Sequence, residues 1–247
     1  MAVLATNIFL SYINRVLFET SLLVKIVFKT LLIITTLFFI KKSNLIHKLK
    51  IDKKTFIYTF ISLFLISFSF YNINSEIENN HLSISFSKHL IYLSSCFAVG
   101  LFEELFFRVL IFSFSLKILE KHSNQLVRTI LLTSIIFAVA HFSNFLNPDY
   151  FHISVINQSL FAFSIGILFQ SIYMKSNSII LIVTLHTLIN YFGSYKSKLF
   201  ETANSNEVAY SFDDFVSTFI SIIIMTFIVV IPISFLLLKD KLKLHNN

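Results

Sequence analysis

The amino-acid sequence predicts an all-α protein whose helices cross a lipid bilayer several times. Hydrophobic residues make up 55% of the 247 residues and charged residues only 13%, about half the charge of an ordinary soluble domain. A soluble core could not bury 31 Phe and 9 Tyr behind so little polar surface. The chain has only 3 Gly and 2 Pro, which disfavours a barrel or a loop-rich fold, and helices satisfy their own backbone groups in lipid.

Apolar stretches of the length that a spanning helix needs, about 17–25 residues, occur along the whole chain. The first twenty residues are apolar but interrupted by polar side chains, so they fit either a further span or an interfacial helix. We therefore expect a polytopic bundle of seven or eight spans, forming a single domain over residues 1–247. The seven clear stretches are 20–40, 55–72, 89–116, 127–146, 153–174, 177–193 and 216–238.

The basic residues between these stretches predict the orientation of the bundle. Segment 41–54 holds six lysines, and further basic residues concentrate in 117–128 and in the C-terminal tail. The positive-inside rule places these segments in the cytoplasm, and alternation then makes 73–88, 147–152 and 194–215 external. The absence of Trp beside abundant Phe and Ile is typical of an AT-rich genome. We expect an integral protein of a bacterial plasma membrane.

Three charged residues lie near the centre of the 89–116 stretch, at Glu103, Glu104 and Arg108. Each such charge costs roughly 2.5–3.5 kcal/mol at a helix centre on insertion scales, so the three together cost on the order of 8 kcal/mol before any pairing. Residues four apart share a helix face, so Glu104 and Arg108 can form an ion pair. Glu103 points about 100° away and is the candidate base.

Two later stretches carry polar residues at a comparable depth. Phe137 and His141 share one helix face, and His186 and Asn190 share another. Counted from the predicted cytoplasmic ends at 1.5 Å per residue, Glu103, His141 and His186 lie roughly 14–21 Å deep. A common polar pocket would therefore satisfy side chains from three helices.

The chemistry of this set suggests hydrolysis. A carboxylate and two imidazoles around a buried water can remove its proton, and the same set can also bind a catalytic zinc ion with one open position. An Asn amide or an imidazole N–H can donate to a developing oxyanion. Each side chain also has a plainer interpretation as part of a structural polar network between helices. The sequence contains no HExxH motif, so it gives no support to a zinc protease of the soluble type.

The three motifs together resemble those of the CPBP family, the CAAX prenyl proteases and bacteriocin-processing enzymes also called the Abi family. The resemblance covers about residues 89–193, which would be the catalytic core. It rests on the motifs Glu103-Glu104-x-x-x-Arg108, Phe137-x-x-x-His141 and His186-x-x-x-Asn190, in this order on separate helices, and also on Gly166 ahead of a short turn and Ser178 at the start of the last motif helix.

The resemblance implies an intramembrane endopeptidase. Glu103 and His141 would activate water, and His186 with Asn190 would line the oxyanion side. Glu104 and Arg108 would hold the site together, while Phe137 shapes the pocket.

The resemblance leaves the cofactor open, because family members are described both as metalloproteases and as a metal-independent glutamate type. The cofactor is accordingly a divalent metal such as zinc, held by Glu103, His141 and His186, or none. The expected partners are a peptide or membrane-protein substrate and the bilayer, with no nucleic acid. Bacteriocin processing, self-immunity or peptide maturation are the implied roles.

Two other classes of function remain as alternatives at this stage. The same fold could serve a non-proteolytic scaffold or immunity factor that binds a partner. A transporter with a charged translocation site is a further alternative, although the sequence shows no inverted repeat or paired broken helices.

Overall fold

The computed structural model describes residues 22–42, 85–146, 152–193 and 211–244, and these ranges contain helices joined by short turns. The expected span at 55–72, the possible span in the first twenty residues, and most of the loops used to orient the bundle lie outside them. The helices are α1 Leu22–Lys42, α2 Phe86–Glu104, α3 Phe112–Ile118, α4 Gln125–His141, α5 His152–Ser176, α6 Ile179–Gly193, α7 Phe212–Met225 and α8 Ile231–Leu244.

Two of the membrane stretches contain a π-helical segment that the sequence pattern did not predict. Residues Leu105–Ile111 join α2 to α3, and Thr226–Val230 join α7 to α8. The second segment has a local cause, because Pro232 lacks an N–H and its ring collides with the preceding turn. The first follows Glu104 directly and contains Arg108. Such π segments are frequent at functional sites.

Three of these helical stretches are long and apolar enough to cross a membrane, namely Gln125–Phe145, Ile153–Ser176 and Phe212–Asp240. Thr30–Lys41 and Ile179–Gly193 are shorter apolar helices. The last stretch begins at Phe212, four residues before the expected start, because Ser211 and Asp214 form a reciprocal capping box. Asp213 and Asp214 therefore belong to the first turn of α7 rather than to the preceding loop.

Helix α5 is the centre of the described bundle. Of its apolar stretch 61% is buried, against 33% for the α4 stretch and 28% for the α7–α8 stretch. It packs against α4, α6, α7 and α8, and Val155, Leu168 and Ile172 are completely buried along it. The motif helices α2, α4 and α6 are assembled around it, with α2 packed against α6.

The turns between the motif helices have simple sequence causes. Asn124 before α4 and Asn177 after α5 adopt the left-handed conformation, which Asn tolerates better than most residues. The hydroxyl of Ser178 accepts a hydrogen bond from the Leu181 N–H at 3.3 Å, so Ser178 caps α6 as its position suggested. The short turn at residues 177–178 holds α5 and α6 side by side.

Two glycines allow close approach between helices. Gly166 lies within α5, well before the turn, and a Cβ there would be 2.9 Å from the Ser134 Cβ and 3.1 Å from its Cα. A Cβ on Gly100 in α2 would be 3.3 Å from the Thr187 Oγ1 and 3.4 Å from the His186 Cβ. Both glycines therefore face backbone as well as side-chain atoms, but the contacts at Gly166 are shorter, and the nearest backbone atom is at 3.1 Å there against 3.4 Å for the Thr187 N at Gly100.

We predict that Gly166→Ala lowers the thermal unfolding midpoint in detergent. Overpacking costs about 1–3 kcal/mol, which exceeds the gain of about 1 kcal/mol from replacing a helical glycine, because the α4 backbone cannot move alone. Gly100→Ala is the matched control and should have a smaller effect. A midpoint for Gly166→Ala at or above that of the unmodified protein would contradict the close-approach argument.

Candidate active site

The centre of the site is a buried ion pair. The Arg108 Nε donates to Glu104 Oε2 at 2.9 Å, and both side chains are completely buried. The pair joins the last residue of α2 to the π segment that follows it, as the spacing of four residues predicted. Arg108 Nη1 and Nη2 find no hydrogen-bond partner among the described residues. The guanidinium instead lies over the Phe137 ring, with Cζ 4.5 Å from its centroid, a cation–π contact.

His186 connects this pair to α6. Its Nδ1 lies 2.7 Å from Glu104 Oε1, and its Nε2 lies 3.6 Å from Glu103 Oε2. The sequence argument placed His186 in a common pocket with Glu103, and the shorter contact of the His186 ring is with Glu104. Glu104 is ionised in its pair with Arg108, and an ionised carboxylate can only accept hydrogen bonds. The Nδ1 of His186 therefore carries the hydrogen and donates it to Glu104.

The two adjacent carboxylates therefore have different environments. Both oxygens of Glu104 are engaged, one by Arg108 and one by His186. The Glu103 side chain keeps 23% of its surface exposed, and its Oε2 makes no hydrogen bond to the described part of the chain. Glu103 is thus the carboxylate that remains available to a further group.

His141 joins the site through Phe137. Its Nδ1 lies 2.9 Å from the Phe137 carbonyl oxygen, and its ring contacts the Phe137 ring edge-to-face at 4.8 Å. The Phe137 ring also faces His186 at 6.2 Å. A carbonyl oxygen can only accept, so Nδ1 carries the hydrogen and Nε2 has a lone pair when the ring is neutral. No hydrogen bond or ion pair connects His141 to Glu103 within the described ranges.

Asn190 lies one turn beyond His186 on α6 and is half-buried. Its backbone carbonyl accepts a hydrogen bond from Tyr92 on α2 at 3.0 Å. Near it, His89 Nδ1 lies 2.8 Å from the Tyr191 hydroxyl. These contacts hold α2 against α6 at the end nearest Asn190. His89 was not among the site residues named from the sequence.

Phe169 is a further site neighbour that the motifs did not indicate. It lies in α5, is almost completely buried, and places its ring 6.0 Å from that of His186. Together with Phe137 it encloses His186 between aromatic rings, which limits the positions this imidazole can adopt. Only the central place of α5 in the bundle could have suggested it.

A metal ion does not fit the residues as they stand. Within the described ranges no group of three His, Cys, Asp or Glu side chains is arranged to hold one. Glu103, His141 and His186, the ligand set raised by the sequence, do not form such a group. The chemistry below is therefore derived from the side chains alone.

Comparison with known proteins identifies the class of this site. Residues 85–192 match the model of the family described as type II CAAX prenyl endopeptidase, Rce1-like, and this segment contains every site residue described above. This segment is thus similar to the CAAX prenyl endopeptidases of the CPBP family, which its motifs resemble. No curated protein and no solved structure matches it. Together with three described helices that are long and apolar enough to cross a membrane, this similarity indicates an integral membrane protein.

We predict that Glu104→Gln strongly destabilises the fold, because it leaves the buried Arg108 cation without a counter-charge. Removing one partner of a buried pair costs about 3–5 kcal/mol. The double variant Glu104→Gln/Arg108→Met should recover much of the loss, as measured by thermal unfolding in detergent. Glu103→Gln, at the more exposed carboxylate, should change stability little. Equal losses for the two Glu→Gln variants would contradict the assigned environments.

Proposed function

We propose that this protein is an intramembrane endopeptidase in which Glu103, together with His141, activates the attacking water. The observation that carries the proposal is the contrast between the two carboxylates. Both oxygens of the buried Glu104 accept hydrogen bonds, whereas the Glu103 side chain is 23% exposed and its Oε2 faces His186 Nε2 at 3.6 Å without a hydrogen bond. A general base must be able to reach a water molecule, and Glu103 meets that condition.

Glu103 and His186 face each other beside the proposed position of the attacking water. Their nearest atoms, Oε2 and Nε2, are 3.6 Å apart, which is too long for a direct hydrogen bond. In the proposed reaction the water oxygen attacks the peptide carbonyl carbon while its proton moves to Glu103. The tetrahedral intermediate then collapses, the C–N bond breaks, and the leaving nitrogen takes the proton back from Glu103.

His141 and His186 take different parts in this proposal. The hydrogen bond from His141 Nδ1 to Phe137 leaves Nε2 as the basic atom, which can orient the water or accept its proton. His186 is held at Nδ1 by Glu104, so a protonated Nε2 can donate to the oxyanion, with the Asn190 amide as a second donor. Glu104 and Arg108 position His186 rather than react.

The substrate is proposed at the level of chemical class. The matched family is described by its action on CAAX prenyl substrates, and the local chemistry fits peptide hydrolysis in general. We propose a peptide or membrane-protein substrate cleaved in the cytoplasmic half of the bilayer. Bacteriocin or peptide processing and self-immunity are the biological roles that the resemblance implies. The resemblance also leaves a divalent metal open as a cofactor, although the described His and Glu side chains are not arranged to hold one.

We predict that Glu103→Gln lowers peptide cleavage by roughly 10²–10⁴-fold, the usual contribution of a general base, with the fold retained. Purified protein in liposomes would be given a mixed peptide library with and without a C-terminal prenylcysteine motif, and new termini read by mass spectrometry. Glu120→Gln, at an exposed carboxylate between α3 and α4, is the matched control. Full activity in Glu103→Gln would refute the proposed base.

We also predict that His141→Asn loses cleavage while keeping the unfolding midpoint close to that of the unmodified protein. The Asn amide can preserve the hydrogen bond to the Phe137 carbonyl but offers no atom at the Nε2 position. If His141 were only a structural residue, His141→Asn would cleave normally. The same library assay distinguishes the two results.

A further inference from the structure

An apolar groove lies on the opposite side of α5 from the candidate active site. Its volume is about 420 Å³, and its lining comes from α4, α5 and the α7–α8 stretch, a size within the usual range for ligand cavities. Ile167 of α5 lines the groove, whereas Phe169 faces His186. Residues two apart point about 200° apart on a helix, so the two regions are separate.

The groove opens sideways toward lipid. Its floor includes the buried Ile130 and Ile167, and its rim includes Phe227 and Phe235, whose surfaces are 66% and 61% exposed. The three stretches that form it are those long and apolar enough to span a membrane. It extends along the last stretch from Ile222 to Leu242, or about 30 Å at 1.5 Å per residue, comparable to the thickness of the hydrocarbon core.

One end of the groove carries excess positive charge. Val127 and Leu242 line it, so the beginning of α4 and the end of α8 meet there. Arg128 and Lys239 are exposed next to lining residues. The end of α3 adds Lys117, and the turn before α4 adds Lys121 against Glu120. The nearby Lys175 and Asp240 neutralise each other at 3.3 Å.

One hydroxyl on the lining of this groove has no hydrogen-bond partner among the described residues. Ser234 lines it and is 5% exposed, and its Oγ makes no hydrogen bond to the described residues. The hydroxyls of Ser164 and Thr226 on the same lining are instead bonded to each other at 2.5 Å. Ser234 precedes Lys239 by five residues, about 7.5 Å along the helix, so it lies deeper than the charged end.

We propose that this groove is a binding site for an anionic diacyl phospholipid of the surrounding bilayer. One acyl chain lies along the floor between α4, α5 and α8. The phosphate headgroup lies at the end formed by Arg128 and Lys239, and an ester carbonyl accepts a hydrogen bond from Ser234. An apolar trough, a buried unpaired donor and a cationic end, in this order, match the chemistry of one such lipid from tail to headgroup.

The headgroup is tested by lipid titration of delipidated full-length protein, measured by native mass spectrometry. Dioleoyl phosphatidylglycerol and dioleoyl phosphatidylcholine have identical chains and differ in charge. Phosphatidylglycerol should bind roughly thirtyfold more tightly, since each of the two basic residues near the headgroup contributes about 1 kcal/mol. Arg128→Gln/Lys239→Gln should bring the two affinities together. Equal affinities in the unmodified protein, or an unchanged preference in the variant, would overturn the headgroup site.

The groove itself is tested by filling it. Ile231→Trp narrows the rim and Ser234→Leu fills the floor, and each should lower phosphatidylglycerol binding at least fivefold. Ile228→Trp is the matched control, since Ile228 lies on the same stretch and is 69% exposed but does not line the groove. Normal binding in both groove variants, or an equal loss in the control, would overturn the proposal. A change in oligomeric state of the groove variants without loss of bound lipid would also overturn the proposal, because it would indicate that the groove binds a protein partner.

A measurement on the unmodified protein covers the case in which these variants do not fold. Phosphatidylglycerol with a photoactivatable group on one acyl chain would be incorporated into liposomes that contain the protein. Adducts should concentrate on peptides of α4, α5 and α8 that line the groove. Adducts spread over the exposed faces of the bundle would refute the site.

Discussion

The buried charge network of Glu104, Arg108 and His186 is the constraint on which the rest of the site depends. Charges at this depth are tolerated only when they are neutralised and hydrogen-bonded. Satisfying Glu104 requires Arg108 from the next turn and His186 from α6, and satisfying Arg108 requires the face of Phe137 from α4. The network therefore fixes the positions of three helices relative to one another, and the imidazoles follow from that arrangement.

Two identical side chains acquire different chemistry because they are adjacent on a helix. Glu103 and Glu104 point in directions about 100° apart, so one faces the ion pair and the other faces the more open side of the site. Glu104 gives both oxygens to neighbours and becomes structural. The Oε2 of Glu103 makes no hydrogen bond to the described residues, so Glu103 is the proton acceptor in the proposed hydrolysis.

The central helix α5 gives the molecule two separate regions. One side presents Phe169 to His186, and the other presents Ile167 to the apolar groove. Gly166, immediately before Ile167 in the sequence, lets α5 approach the backbone of α4 at Ser134. Changes on the groove side can therefore be made without touching residues of the candidate active site, so the two proposals can be tested independently.

The sequence by itself determined the helical class, the motif set and the Glu104–Arg108 pair, because hydropathy and four-residue spacing act within a single helix. It did not predict the π segment that carries Arg108, and it placed His186 in a common pocket with Glu103 without its shorter contact with Glu104. Only the tertiary structure decided these features, together with the bond of His141 to Phe137 and the groove. These features depend on how each helix is rotated about its axis and on how closely neighbouring helices approach. Side-chain packing sets both quantities, and the periodicity of the sequence does not contain them.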